Sequence, residues 1–150
     1  MPLIVEDGTG LPTANSYVSL ITAAAYHLDT APDWDAADDD AKVAALIKAT
    51  RYVDGRYRGR FDSIRMKSDQ ALEWPRLCAY DRSGFFRDGV PSQVKNAVCE
   101  AALIALTEDL APALERGGQV ITEKVGPLET TYAAGASPVT TYLVVEQAIY

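Results

Sequence analysis

Arginines alternate with aromatic rings through Ala49-Thr-Arg-Tyr-Val-Asp-Gly-Arg-Tyr-Arg-Gly-Arg-Phe61, the stretch of the chain best equipped to contact a partner. A guanidinium fork binds carboxylates or phosphates through two parallel hydrogen bonds, and aromatic faces accept stacked bases. Residues 51–67 hold Arg51, Arg56, Arg58, Arg60, Arg65 and Lys67 against Asp54 and Asp62, with Tyr52, Tyr57 and Phe61 interspersed. Gln70-Ala-Leu-Glu-Trp-Pro-Arg76 follows, where Trp74 is either a core residue or an interface anchor. Arg51, Tyr52, Arg56, Tyr57, Arg58, Arg60 and Trp74 are therefore the first contact candidates.

What the arginines meet is a question of charge. The chain carries a net charge of −7, distributed unevenly: residues 1–40 hold eight acidic and no basic side chains, residues 41–95 twelve basic and six acidic, and residues 96–150 two basic and seven acidic. A positive segment between two negative ones suits head-to-tail pairing between copies, or an acidic partner. Phosphate affinity scales with the charges neutralised, and a subunit this acidic repels DNA at long range. The leading expectation is that the arginines pair with carboxylates of a neighbouring copy. Single-strand binding through Arg56, Arg58, Arg60, Tyr52 and Tyr57 is the alternative, and a solvated basic face is the bland one.

Other chemistry has little support. His27 is the single histidine and stands beside Tyr26 with no nucleophile motif in view, so no reaction, metal or cofactor is expected. Cys78 and Cys99 match neither zinc spacing nor a disulfide framework and are expected to be reduced packing residues. Asp38-Asp39-Asp40 lacks the spaced ligands of a calcium loop and suits the start of a helix instead. Gly8-Thr9-Gly10 is too short for a phosphate loop. No apolar run reaches the roughly 20 residues of a membrane span, and the N-terminus does not read as a secretory signal, so synthesis in the cytoplasm and no membrane partner are expected.

The elements that would hold the arginines are mostly helical. Residues 1–18 are rich in turn formers and read as an extended arm. A short helix fits Leu20 to Leu28 with Ser19 as N-cap; Ser19-Leu-Ile-Thr22 is not a full capping box, so a frayed start is expected. The clearest helix follows Asp38, with Val43, Leu46, Ile47, Thr50, Val53 and Tyr57 on one face, ending at Gly55 or Gly59. Residues 58–90 form a long connection, and long ordered loops are usually functional. Another helix begins at Pro91 and runs to about Leu110, apolar on nearly every side between Ala97 and Leu106, hence central. Gln119 to Val125 and Leu128 to Tyr132 read as two strands joined through Gly126-Pro127. An isolated hairpin is marginal in water, so Val120, Ile121, Val125, Leu128 and Tyr132 become interface candidates. The C-terminal run Val139 to Tyr150 favours a strand but also allows a helix face. It is expected to dock on a partner through Tyr142, Leu143, Val145, Ile149 and Tyr150. The whole is a single mainly α domain: a small helical bundle over 19–110, a projecting β-hairpin over 119–132 and a docking tail over 139–150.

Several motifs occur together in a fixed order: Val5-Glu-Asp-Gly-Thr-Gly-Leu-Pro-Thr-Ala-Asn-Ser-Tyr-Val18, Ala49-Thr-Arg-Tyr-Val-Asp-Gly-Arg-Tyr57, Ala71-Leu-Glu-Trp-Pro-Arg76, Val90-Pro-Ser-Gln-Val-Lys95 and Lys124-Val-Gly-Pro127. In this the chain resembles a family of tailed-phage and prophage proteins labelled DnaT-like single-stranded-DNA-binding proteins, which is similar to the head–tail connector adaptors. The resemblance spans nearly the whole chain. It implies a structural adaptor in the phage neck, located in the virion after assembly in the host cytoplasm. The implied partners are other copies in a dodecameric ring, the portal protein, a tail-side stopper or completion protein, and genomic DNA passing non-specifically through the lumen. A single-stranded-DNA-binding replication accessory is the alternative function.

Overall fold

The computed structural model describes residues 1–111, 122–125, 128–131 and 140–149. It divides into two units, Met1–Leu110 with Leu143–Tyr150, and Ala111–Tyr142. The chain is mainly helical, with five helices and a small antiparallel hairpin among the described residues.

Residues 1–18 form no helix, but they fold back on themselves. Val5 bridges Ser16, and the buried Glu6 carboxylate accepts from the amides of Gly8 (3.0 Å), Gly10 (2.8 Å) and Leu11 (2.8 Å). The Gly8 and Gly10 amides of the Gly8-Thr9-Gly10 turn are thus filled by Glu6, and the Thr9 amide by Asp7 Oδ1 at 3.0 Å. Gly8, at φ +96, lies close to the backbone of Gly89, where a Cβ would meet the Gly89 Cα at 3.4 Å.

Helix α1 (Leu20–His27) starts where Ser19 predicts: its hydroxyl accepts from the Thr22 amide at 3.1 Å, and the Thr22 hydroxyl bonds Ser19 in place of the missing glutamate. Helix α2 (Pro32–Ala36) falls where the sequence suggests only a stop. Pro32 is preorganised for a first turn, and the fully buried Trp34 fixes the short helix to the core. Trp34 packs on His27 at 4.8 Å between ring centroids, and His27 Nε2 meets the Cys99 carbonyl at 3.1 Å. His27 is a core residue.

Helix α3 (Asp39–Tyr57) is capped by Asp38, which accepts from the Ala41 amide at 2.7 Å. It runs through Gly55 because Val53 and Tyr57 are buried and hold the last turn in place, and a 3-10 turn over Arg58–Arg60 follows. Strands β1 (Ile64–Arg65) and β2 (Arg76–Leu77) form a short antiparallel ladder. Helix α4 (Ser92–Ala105), with Pro91 at its N-cap, packs along α3 and also meets α1. It stops before Leu110 because the chain tightens: the Leu106 amide bonds the Leu103 carbonyl and the Thr107 amide bonds the Ile104 carbonyl.

In the second unit, β3 (Thr122–Val125) and β4 (Leu128–Thr131) pair antiparallel with Val125 opposite Leu128, the hairpin expected at Gly126-Pro127. The C-terminal segment is helix α5 (Leu143–Ile149), packed on α4. Of the strand and the helix that this run allows, the helix forms, and it does not leave Val145 and Ile149 free for a partner. Val145 and Ile149, four residues apart on one face, are buried in the core, and that burial overrides the strand tendency of their β-branched side chains. Leu143 and Val144 are exposed.

Candidate nucleic-acid interface

The end of α3 and the 3-10 turn present the arginine cluster, and an acid of the same chain meets part of it. Glu146 on α5 lies 3.8 Å from Arg56 Nη2 and 3.4 Å from Arg60 Nη1. The expectation that these arginines pair with a neighbouring copy is corrected to that extent, since α5 brings a carboxylate from the far end of the sequence to the end of α3. The Arg60 guanidinium also lies 5.8 Å from the centre of the Tyr57 ring. Arg51 and Arg58 are exposed, with no ion-pair partner among the described residues.

Two other residues of the sequence motifs are structural. Trp74 is 2% exposed, its ring edge-to-face with Phe61 at 5.8 Å. Arg76 is buried with every nitrogen engaged: Nε on the Asp62 carbonyl (2.9 Å), Nη2 on the Ser63 carbonyl (2.7 Å), and Nη1 on the Glu73 carboxylate (3.0 Å). Arg65 donates to the Gln70 carbonyl at 3.2 Å. Tyr52 is half-buried and Tyr57 is core. Val125 and Leu128 close the hairpin, and Tyr142 immediately precedes α5. Val120, Ile121, Tyr132 and Tyr150 lie outside the described residues.

A cleft of about 200 Å³ opens beside the 3-10 turn. Its floor is apolar and buried, made by Tyr57 of α3, Trp74, Ala79, Val94 of α4 and Ile149 of α5. Its rim is polar and mostly cationic, with Arg60, Arg82 and Arg87 beside Asp62 and Asp81, and the rings of Phe61 and Tyr80. Helices supply most of the floor and loops supply the rim.

The rim loop is held by its own hydrogen bonds. Asp81 Oδ1 accepts from the amides of Ser83 (2.8 Å) and Phe85 (2.9 Å), the Asp81 amide donates to the Phe85 carbonyl (2.9 Å), and the Arg87 amide donates to the Ala79 carbonyl (2.8 Å). Gly84 adopts φ +84 at the tip. Tyr80 and Phe86 face each other edge to face at 5.6 Å, both more than half exposed, and Phe85 is 72% exposed. Exposed rings on a preformed loop between two arginines are unusual for a solvated surface.

Tyr80, Arg82, Phe85, Phe86 and Arg87 are absent from the sequence candidates. A signal was present: Asp81-Arg-Ser-Gly84 is a turn sequence flanked by aromatic residues, the pattern of a tight hairpin loop. Cys78, expected to be packing, is exposed and has φ 53, whereas Cys99 is buried. Burial pushes the Cys99 thiol up to about 12. Among the described residues no cluster of His, Cys, Asp or Glu could hold a metal ion, and no helix is long and apolar enough to cross a membrane.

The chain belongs to the family described as "Putative DnaT-like ssDNA binding protein", whose family model matches residues 1–149. No curated protein and no solved structure matches the chain.

Proposed function

We propose that this member of the DnaT-like family binds single-stranded DNA along the rim of the cleft and the loop beside it, through Arg60, Arg82, Arg87 and Tyr80 on the rim with Phe85 and Phe86 on the loop. The observation that carries the reading is the loop over 79–87, which holds exposed aromatic rings and two arginines in one preformed turn on the same cleft as Arg60. Cations tracking the phosphates and rings stacking on the bases are the two parts a sequence-tolerant single-strand binder needs. The family description supports the same function. With a net charge of −7, attraction is local to the rim, so affinity falls steeply with salt. Titration of a fluorescein-labelled oligonucleotide followed by anisotropy tests this. Exchanging both Arg82 and Arg87 for alanine weakens binding and flattens the slope of log K against log salt by about 0.7 for each phosphate no longer neutralised. An unchanged slope removes the rim from the binding surface.

A second reading is the structural adaptor of a phage neck: a dodecameric ring in the virion between portal and tail-side completion protein, with genomic DNA passing through. One observation favours it. Asp33, Asp35, Asp38, Asp39 and Asp40 are exposed at or just before the start of α3, and Arg56, Arg58 and Arg60 at or just beyond its far end, about 28 Å away for a helix of 19 residues. Opposite charges at the two ends of one helix suit head-to-tail contacts between copies. Light scattering and negative-stain images separate the readings. Rings that charge reversal at Arg58 abolishes support the adaptor; a monomer that binds oligonucleotides supports the strand binder.

A further inference from the structure

We infer that the cleft is a seat for one unstacked nucleobase, with the strand's flanking phosphates held at its rim; this inference rests on the single-strand reading above. The floor formed by Trp74, Ala79 and Val94 is buried and apolar, and an apolar floor takes the face of a planar ring but not a phosphodiester. The rim supplies what the rest of a nucleotide requires, because Arg60, Arg82 and Arg87 surround the mouth. Size fixes the number. At about 200 Å³ the cleft is smaller than the roughly 300–1,000 Å³ of pockets that enclose drug-sized ligands, so it accepts one ring system and excludes a stack of bases. Neighbouring bases are left to the exposed Tyr80–Phe86 pair outside. The internal hydrogen bonds of the loop over 81–87 set the rim before a strand arrives, which lowers the entropy lost on binding. A base inside a duplex cannot enter without breaking its pair, so the seat also selects single strands over double ones.

Three strands of equal length, measured by anisotropy with the whole chain, test the seat: oligodeoxythymidylate, the same backbone with every base replaced by an abasic tetrahydrofuran, and the abasic strand carrying a single central thymine. The abasic strand is expected to bind at least about tenfold more weakly than the full strand, and one restored base to recover most of that difference. Recovery that instead grows evenly with the number of bases overturns the seat in favour of an open stacking platform, while leaving strand binding intact. Equal affinity for all three strands overturns it in favour of phosphate contacts alone. No binding by any strand overturns both the seat and the reading beneath it. Ala79→Leu, which fills the floor, should erase the difference between the abasic and single-thymine strands without weakening the abasic one, with folding checked by circular dichroism; a difference that persists in the folded variant overturns the seat.

Discussion

The hydroxyl of Tyr17 donates to Asp54 Oδ1 at 2.7 Å and accepts the Trp74 amide at 3.0 Å, joining the N-terminal segment, α3 and the loop that carries the cleft floor. Asp54 Oδ2 takes the Glu73 amide at 3.1 Å as well. The Tyr17 hydroxyl, both Asp54 oxygens and the Glu73 and Trp74 amides each have a partner in this largely buried junction, which makes any one of them expensive to remove. Tyr17→Phe strands the Trp74 amide and one carboxylate oxygen, and should lower unfolding free energy by about 1–3 kcal/mol in urea denaturation.

Burial pushes Asp54 up to about 6, despite the donors from Tyr17 and Glu73 that favour its charged form. An unfolded aspartate titrates near 3.9, so the folded state holds the proton more tightly. The stability this contributes is fully present below about pH 4 and is lost as pH rises through 6, on the order of 2–3 kcal/mol. Asp54→Asn should remove that component, so the check is the difference between the stability–pH curves of the two proteins from about pH 4 to 7.

Glu146 holds Arg56 and Arg60 where phosphate would otherwise compete for them. Glu146→Gln should raise oligonucleotide affinity on the order of fivefold at low salt and steepen the salt dependence. Both arginines are about a third or more exposed, so thermal stability should change little. Unchanged affinity would mean that neither arginine meets the strand.

Glu6 closes the N-terminal loop with three amide donors. Glu6→Ala should cost about 2–3 kcal/mol, and Glu6→Gln less, because the amide keeps one acceptor but turns an NH₂ toward one of the donors. Faster hydrogen exchange at Gly8, Gly10 and Leu11 would locate the damage.

The two thiols should separate cleanly. Exposed Cys78 reacts with a disulfide reagent in the native protein, while Cys99, buried and held protonated, reacts only after denaturant is added. Two fast thiols in native buffer would show that the packing around α4 opens readily.

Signals that act within a few residues could be read directly. Ser19 and Asp38 accept amides three positions on, so the starts of α1 and α3 are settled by neighbours in the chain, and Gly126-Pro127 marks the hairpin in the same way. The apolar face of α3, from Leu46 to Tyr57, follows from helical spacing, as does the central place of α4. The basic cluster was legible as composition, and so was its mixture of cations and rings.

Which of those residues face a partner was decided only by the fold. Trp74 and Arg76 sit beside the arginine run in sequence yet are core, whereas Tyr80 on the rim and Phe85 and Phe86 on the same loop, with no period to mark them, reach solvent. Trp34 makes a helix of a segment that reads as a stop, and packing against α4 makes a helix of a tail whose β-branched residues favour a strand. Glu146 reaches Arg56 and Arg60 for the same reason. Caps and turns depend on short stretches of backbone, but burial and ion pairing depend on groups brought together from distant parts of the chain, and no local pattern encodes which distant group arrives.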